Sequence, residues 1–436
     1  MTDSISRDAG LVRSVGTIAL ATNIVNCVIG AGIFKLPNEM ATLVGAYAPL
    51  AYVACALAMG AVVACWAEAG SRVPTSGGAY GYIEIALGPL AGFISGVCIW
   101  LTGLLAQGSI LTAFVDSLIA SFPALAGVRT VLIVATTAFI LSVNLTSVRT
   151  SSRVVSAATF LKLIPLAIFM LVGIFGVQSG NLAIAPGQST SDFGRALVVG
   201  LFAFTGMETA LGASGEVSNP SHTVPRALLF AMSFIAIAYI VIQVVAQGTL
   251  GSALASSHAP LADGITVVAP ILRPLVLGGT LASMFGYLMG SNLGGPRMLF
   301  AFARDGFLPR VFGNLHAKTK APYVAIAAHA LVACGLAWSG SFIKLAVLST
   351  LAACAAYILG CVAAFILRRR NYAAAGTPLV LPGTPVMAVI GIIAMAAIAA
   401  QATLDEAIGS AIALVVMLAT FGVRQLLRKP ATAAAV

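Results

Sequence analysis

The chain alternates long apolar runs with short polar punctuation, and the runs have membrane-spanning length. Twelve stand out, near residues 14–44, 47–70, 88–119, 128–147, 153–177, 193–216, 226–250, 268–303, 322–339, 342–367, 384–402 and 406–424. A helix needs about 20 apolar residues to cross a bilayer. Two of the runs are interrupted by glycine in matching places. The first reads Asn26-Cys-Val-Ile-Gly-Ala-Gly-Ile-Phe34 and the second Phe202-Ala-Phe-Thr-Gly-Met-Glu-Thr-Ala-Leu-Gly212. A helix broken in lipid leaves N–H and C=O groups unpaired, each at a cost of several kcal/mol. Such a break persists only where something polar uses those groups. Corresponding breaks in two halves of a chain point to a solute site at the membrane midplane.

The pattern predicts an all-α polytopic membrane protein with 12 transmembrane helices and no soluble domain, a single transmembrane domain over residues 1–436. Spans one to five cover about 14–177 and spans six to ten about 192–368, each set opening on its broken helix. An odd number of spans per repeat inverts the second against the first. This is the leucine-transporter-type 5+5 inverted repeat with discontinuous helices 1 and 6, with extra helices at about 384–424. The first run is too long for a signal h-region and ends on no small-residue cleavage site, so no cleaved leader is expected.

Composition sharpens the class. Hydrophobic residues make up 60% of the 436 and charged residues 8%, against about 25% charged in soluble domains. The net charge of +10 is read as topology rather than nucleic-acid binding, because cytoplasmic loops collect Lys and Arg. With the amino terminus inside, seventeen of the 23 basic residues fall inside. Arg129, Arg195, Arg273 and Lys344 fall outside, and Lys35 and Lys162 lie within spans. Both termini are therefore expected in the cytoplasm, with the chain in the cell (inner) membrane. All seven cysteines sit in apolar runs without a CxxC pair, as small hydrophobes do. The four histidines show no metal-ligand spacing and no metal or cofactor is expected. No phosphate loop, HExxH or GxSxG occurs, which argues against a built-in ATPase, protease or hydrolase. Any transport must run on gradients or exchange.

Four segments, in order along the chain, carry a resemblance to a known family. Gly30-Ala-Gly-Ile-Phe34 followed by Leu36-Pro37 resembles the first-helix signature of amino acid–polyamine–organocation permeases. Ala67-Glu-Ala-Gly-Ser-Arg-Val-Pro-Thr-Ser-Gly-Gly-Ala-Tyr80 is similar to their link between second and third helices. Phe204-Thr-Gly-Met-Glu208, with Gly215-Glu-Val-Ser-Asn-Pro220 and Val224-Pro-Arg226, resembles the sixth helix and its exit loop. Arg297-Met-Leu-Phe-Ala-Phe-Ala-Arg-Asp-Gly-Phe-Leu-Pro309 resembles the end of the eighth. The nearest branch is the basic amino acid/polyamine antiporter-like one.

The resemblance implies a substrate site at the breaks. A half-helix restarting near Ile33 presents N-terminal amides, which suit an anion. Amides around Gly30, Ala31 and Gly32, with Val28 and Ile29 beside them, would hold a substrate α-carboxylate. Ala31 stands where relatives often carry a hydroxyl, so that binding would rest on backbone. The plainer alternative is that the glycines only permit close helix packing. Across from them, the carbonyls of Phe202, Ala203 and Thr205 would face an α-amino group. Phe202 and Phe204 would act as gates or simply pack, with Gly206 as the break, and Met207 would line an apolar side-chain pocket or the core.

Charged residues in the spans complete the candidate set. Lys162 lies about 15 Å deep in the fifth span by helical rise. A lysine there faces a cavity or a partner. By resemblance to sodium-independent members, its ammonium would replace a cation and tie the fifth helix to the first break; the alternative is that it cycles protons in coupling. Glu208 is either proton-linked, a counter-charge for a basic substrate, or a structural carboxylate. Ser291 and Asn292 are possible remnants of a cation site. Lys35 and Glu39, four apart, are expected to form an ion pair or to select charged substrates. Glu68 with Arg72, and Arg304 with Asp305, are expected to order cytoplasmic gate loops.

The expected activity is sodium-independent secondary transport of L-amino acids, neutral ones favoured, by proton symport or exchange. The alternatives are a cationic amino acid/polyamine antiporter, an ion channel without an evident filter, or a non-transporting amino acid sensor. The expected partners are an amino acid and the lipid bilayer, with no nucleic acid and no obligatory subunit.

Overall fold

A computed structural model describes residues 15–30, 32–73, 78–146, 162–184, 192–316, 319, 321–374 and 376–427. Ala31, singled out above, lies outside them, as do 74–77 of the second-to-third helix link. Among the described residues there is helix and no strand beyond one isolated bridge between Val15 and Val217.

Helix is present in each of the twelve apolar runs. The first run is two helices, α1 (Thr17–Val28) and α2 (Gly32–Val44). Then come α3 (Ala48–Arg72), a short α4 (Ala79–Leu87), α5 (Pro89–Ser121), α6 (Arg129–Thr146) and α7 (Lys162–Gly176). The sixth run holds α8 (Phe193–Leu201), a 3-10 turn at Phe202–Phe204 and the four-residue α9 (Met207–Ala210). It is followed by α10 (Pro220–Leu250), α11 (Pro260–Thr266), α12 (Arg273–Arg304), α13 (Tyr323–Ser339) and α14 (Phe342–Arg369). α15 (Thr384–Ala399) and α16 (Leu404–Leu427) close the series. Among the described residues, seven helical stretches are long and apolar enough to cross a membrane, and four shorter apolar ones accompany them, α1, α7, α13 and α15. Two helices go beyond the sequence expectation. α4 precedes the third span, and α11 stands in what reads as a loop, started by a proline at its first turn, where a missing N–H costs nothing.

The core forms where α14 lies along α5, and α10 lies along α3 and α1. Lipid offers no hydrophobic drive between helices, so close approach of small residues does that work. Gly360 of α14 lies against the Trp66 ring of α3, and Gly70 of α3 meets Val224 of α10. Trp66 in turn stands edge-on to Tyr82 at 5.7 Å and to Tyr357 at 5.3 Å. That aromatic wedge fixes Tyr357 beside the second break.

Candidate functional site

The first break follows from where backbone groups find partners. α1 ends at Val28, and Ile29 leaves helical geometry at ψ 79°. Its last carbonyls then need donors. The Val28 carbonyl accepts from Gly30 N–H at 2.7 Å and from the Tyr239 hydroxyl at 3.1 Å. Lys162 supplies the rest. Its Nζ donates to the Asn26 carbonyl at 2.6 Å, the Asn26 Oδ1 at 2.5 Å and the Ile29 carbonyl at 2.7 Å. Three ammonium protons meet three oxygens, and the side chain is only 2% exposed. Lys162 thus ties α7 to the end of α1. α2 reopens at Gly32, and the first amides of a helix have no partner inside it.

The second break is built around Gly206, which sits at φ 120°. A side chain there would be strained. It would also strike the Cys27 carbonyl, because the two breaks touch through backbone. Glu208 closes the turn. Its Oε1 accepts from Gly206 N–H at 2.9 Å and its Oε2 from the Tyr357 hydroxyl at 2.9 Å. Both oxygens are engaged and the residue is 3% exposed. Here the carboxylate satisfies the freed backbone. The Phe202 carbonyl also has partners, accepting from both the N–H and the hydroxyl of Thr205, at 3.2 and 2.8 Å. Of the three carbonyls expected to face an ammonium, those of Ala203 and Thr205 remain.

A cavity of about 10 Å³ lies between the breaks, room for roughly one water. Its walls are Cys27, Val28, Gly30, Gly32, Phe202, Ala203 and Thr205, with Ala106 and Ile110 of α5 and Tyr287 of α12. Six residues expected at the site are therefore brought together. Four others line no part of this cavity. Ile29 contributes its carbonyl to Lys162, and Gly206 contacts Cys27. Phe204 packs against Tyr52 at 6.4 Å and Tyr239 at 5.3 Å, and Met207 is fully buried. Of the two phenylalanines expected as gates, Phe202 lines the cavity and Phe204 does not.

Ser291 and Asn292 do not join Lys162. The Ser291 hydroxyl donates to Gln107 Oε1 at 2.7 Å, and Asn292 Nδ2 to the Leu288 carbonyl at 3.1 Å. Gln107 Oε1 also meets His329 Nε2 at 2.9 Å, while Trp100 donates to His329 Nδ1 at 3.2 Å. His329 is thus a satisfied core residue. Lys35 and Glu39 close no ion pair within 4.0 Å. Lys35 lines a separate cleft instead.

Glu68 and Arg72 do form a cluster, at 2.7 Å and nearly without exposure. Arg368 joins Glu68 at 2.9 Å and the Thr384 hydroxyl donates to it at 2.6 Å. Arg304 pairs with Asp305 at 3.1 Å.

Asn26, Cys27, Ala106, Ile110, Tyr239, Tyr287 and Tyr357 are the site residues that sequence reasoning missed. Tyr239 and Tyr357 did carry a signal, since a hydroxyl in an apolar run needs a buried partner. For these two the partner lies on another helix.

The family model for amino acid permeases matches residues 15–422. A serine/threonine exchanger of Bacillus subtilis is 28% identical over 409 residues, covering 88% of this chain and 91% of that protein. A branched-chain amino acid permease of the same species is 27% identical over 416 residues, 88% of each chain. Its methylthioribose transporter is 26% identical over 390 residues, 84% of this chain and 83% of that one. The chain belongs to the amino acid permease family, within the amino acid–polyamine–organocation superfamily. It is a multi-pass membrane transporter of amino acids and not an enzyme.

Proposed function

We propose that this amino acid permease is a sodium-independent carrier of neutral L-amino acids, working by exchange or proton symport through alternating access around the paired breaks. The architecture that goes with it is twelve spans in a 5+5 inverted repeat with both termini cytoplasmic. The observation that carries the reading is the Lys162 ammonium seated on the Asn26 and Ile29 oxygens. Unwound carbonyls of this kind hold the coupling cation in sodium-driven carriers of this architecture. Here a covalently attached cation takes that place.

The cavity supports the substrate class. An amide-bearing helix start on one side and carbonyls of Ala203 and Thr205 on the other suit a carboxylate and an ammonium. The remaining side chains are apolar apart from the Cys27 thiol and the Tyr287 hydroxyl, and no carboxylate lines the cavity. Glu208, the one candidate counter-charge for a basic side chain, spends both oxygens on Gly206 and Tyr357. This disfavours a cationic amino acid or polyamine as the main substrate. The serine/threonine and branched-chain substrates named for two relatives fall in the neutral class.

The test is radiolabelled uptake of alanine, serine, threonine and leucine into proteoliposomes, with methylthioribose, arginine and putrescine as competitors. Uptake without sodium is expected, either into vesicles preloaded with amino acid or driven by an inward proton gradient. A strict sodium requirement overturns the role given to Lys162. Binding without flux turns the reading into the sensor.

A further inference from the structure

Beyond the central cavity, a second small cleft lies further out along the same helices. Phe34 and Lys35 of α2, Ser117 of α5, and Thr280 and Met284 of α12 line it, with His258 from the loop before α11. The central cavity uses Gly32, Ile110 and Tyr287 of those helices. Ser117 lies seven residues past Ile110 and Thr280 seven before Tyr287, about 10 Å along each axis. Lys35 stands one turn beyond Gly32. All three helices step in the same direction, so the cleft is the outward continuation of the site.

The charges around the cleft are uneven. Asp116, beside Ser117, is paired with Arg129 at 2.8 Å. Asp263 is paired with Arg273 at 3.1 Å and accepts from the Ser257 hydroxyl at 2.7 Å. Glu39 does not reach Lys35 within 4.0 Å. The nearby aspartates are thus neutralised by arginines, while the Lys35 ammonium acts on Glu39 only through space and closes no hydrogen bond or ion pair among the described residues. It is partly buried, where a charge is screened less than at an open surface.

We infer that Lys35 is a specificity-determining residue: its ammonium, held in no direct ion pair in the outer cleft, admits zwitterions carboxylate-first and turns away cationic amino acids and polyamines. The inference rests on the neutral-substrate reading and locates part of that selectivity outside the binding cavity. A charged cleft with apolar walls acts on approaching ions in this way.

The experiment is inhibition of L-alanine uptake in proteoliposomes by L-arginine, putrescine and L-leucine. Lys35→Met is expected to lower the half-inhibitory concentrations of arginine and putrescine roughly threefold to tenfold, as removal of one like charge about 10 Å from the substrate should. That of leucine is expected to stay within about twofold. Lys35→Glu lowers the arginine and putrescine values further, and Lys35→Arg keeps them at the wild-type level. Unchanged arginine and putrescine inhibition in Met and Glu variants that still take up alanine overturns the inference and leaves neutral transport standing. Wild-type protein that takes up no neutral amino acid overturns both. Should Lys35→Met fail to reach the membrane, Lys35→Gln makes the same comparison with a polar side chain.

Discussion

At the scale of single residues, the site is an accounting of backbone groups freed by two helix breaks. Lys162 serves two carbonyls and an amide oxygen at the first, and Glu208 serves an N–H at the second. Lys162→Met keeps the stem and removes the donors, leaving buried oxygens unpaired at about 1–3 kcal/mol each. Transport is expected to fall at least about tenfold on that basis, with protein still extracted as a folded species. Wild-type uptake by Lys162→Met would exclude the role. Gly206→Ala tests the second break. Its φ of 120° and its contact with Cys27 leave no space for a methyl, so a loss of about 1–3 kcal/mol or more is expected. Thermal unfolding in detergent measures it, and an unshifted midpoint refutes the backbone contact. Lys162 was legible in the sequence because a lysine deep in an apolar run demands a reason. Tyr357 and Tyr239 were not, because nothing local says which break each hydroxyl reaches.

Among the elements, the two last helices are each fastened at their start by a buried or half-buried charge cluster. The start of α15 is held by the Glu68 cluster, with Arg72 also donating to the Tyr372 carbonyl at 3.1 Å and Arg368 to that of Leu381 at 2.7 Å. The start of α16 is held at α8, where Arg195 grips Glu406 through two bonds of 2.7 Å. Its far end lies near the α12 exit, with the Arg424 guanidinium 3.6 Å from the centre of the Phe307 ring. Glu68→Gln leaves Arg72 buried without its counter-ion, at about 3–5 kcal/mol for a broken buried pair. Faster proteolysis of the segment 370–383 is the expected sign, and equal cleavage of wild type and variant would count against the clamp. Glu68 and Arg72, four apart on α3, close their pair. The same spacing misled for Lys35 and Glu39, because helical proximity permits a pair without closing it.

For the whole molecule, orientation is the claim most exposed to test. Single cysteines in a background stripped of the seven native ones are expected to react from the cytoplasm at Asn371 and from outside at Ser256, both of them exposed. Reaction from the opposite sides would reverse the topology. The central cavity, at about 10 Å³, is too small for an amino acid, so binding there requires its walls to move apart. A bulky substrate such as leucine is therefore expected to slow proteolysis or thiol labelling of Cys27, which lines the cavity, and the absence of any such protection would argue against binding there. The sequence alone determined the class, the helical runs, the paired breaks and the presence of a lysine in an apolar run. Each of these is a property of local hydropathy or of a residue type that lipid does not tolerate without cause. Only the tertiary structure decided which groups answer the breaks. The donors come from α7, α10 and α14, far away in sequence, and neither periodicity nor composition records which helix faces which.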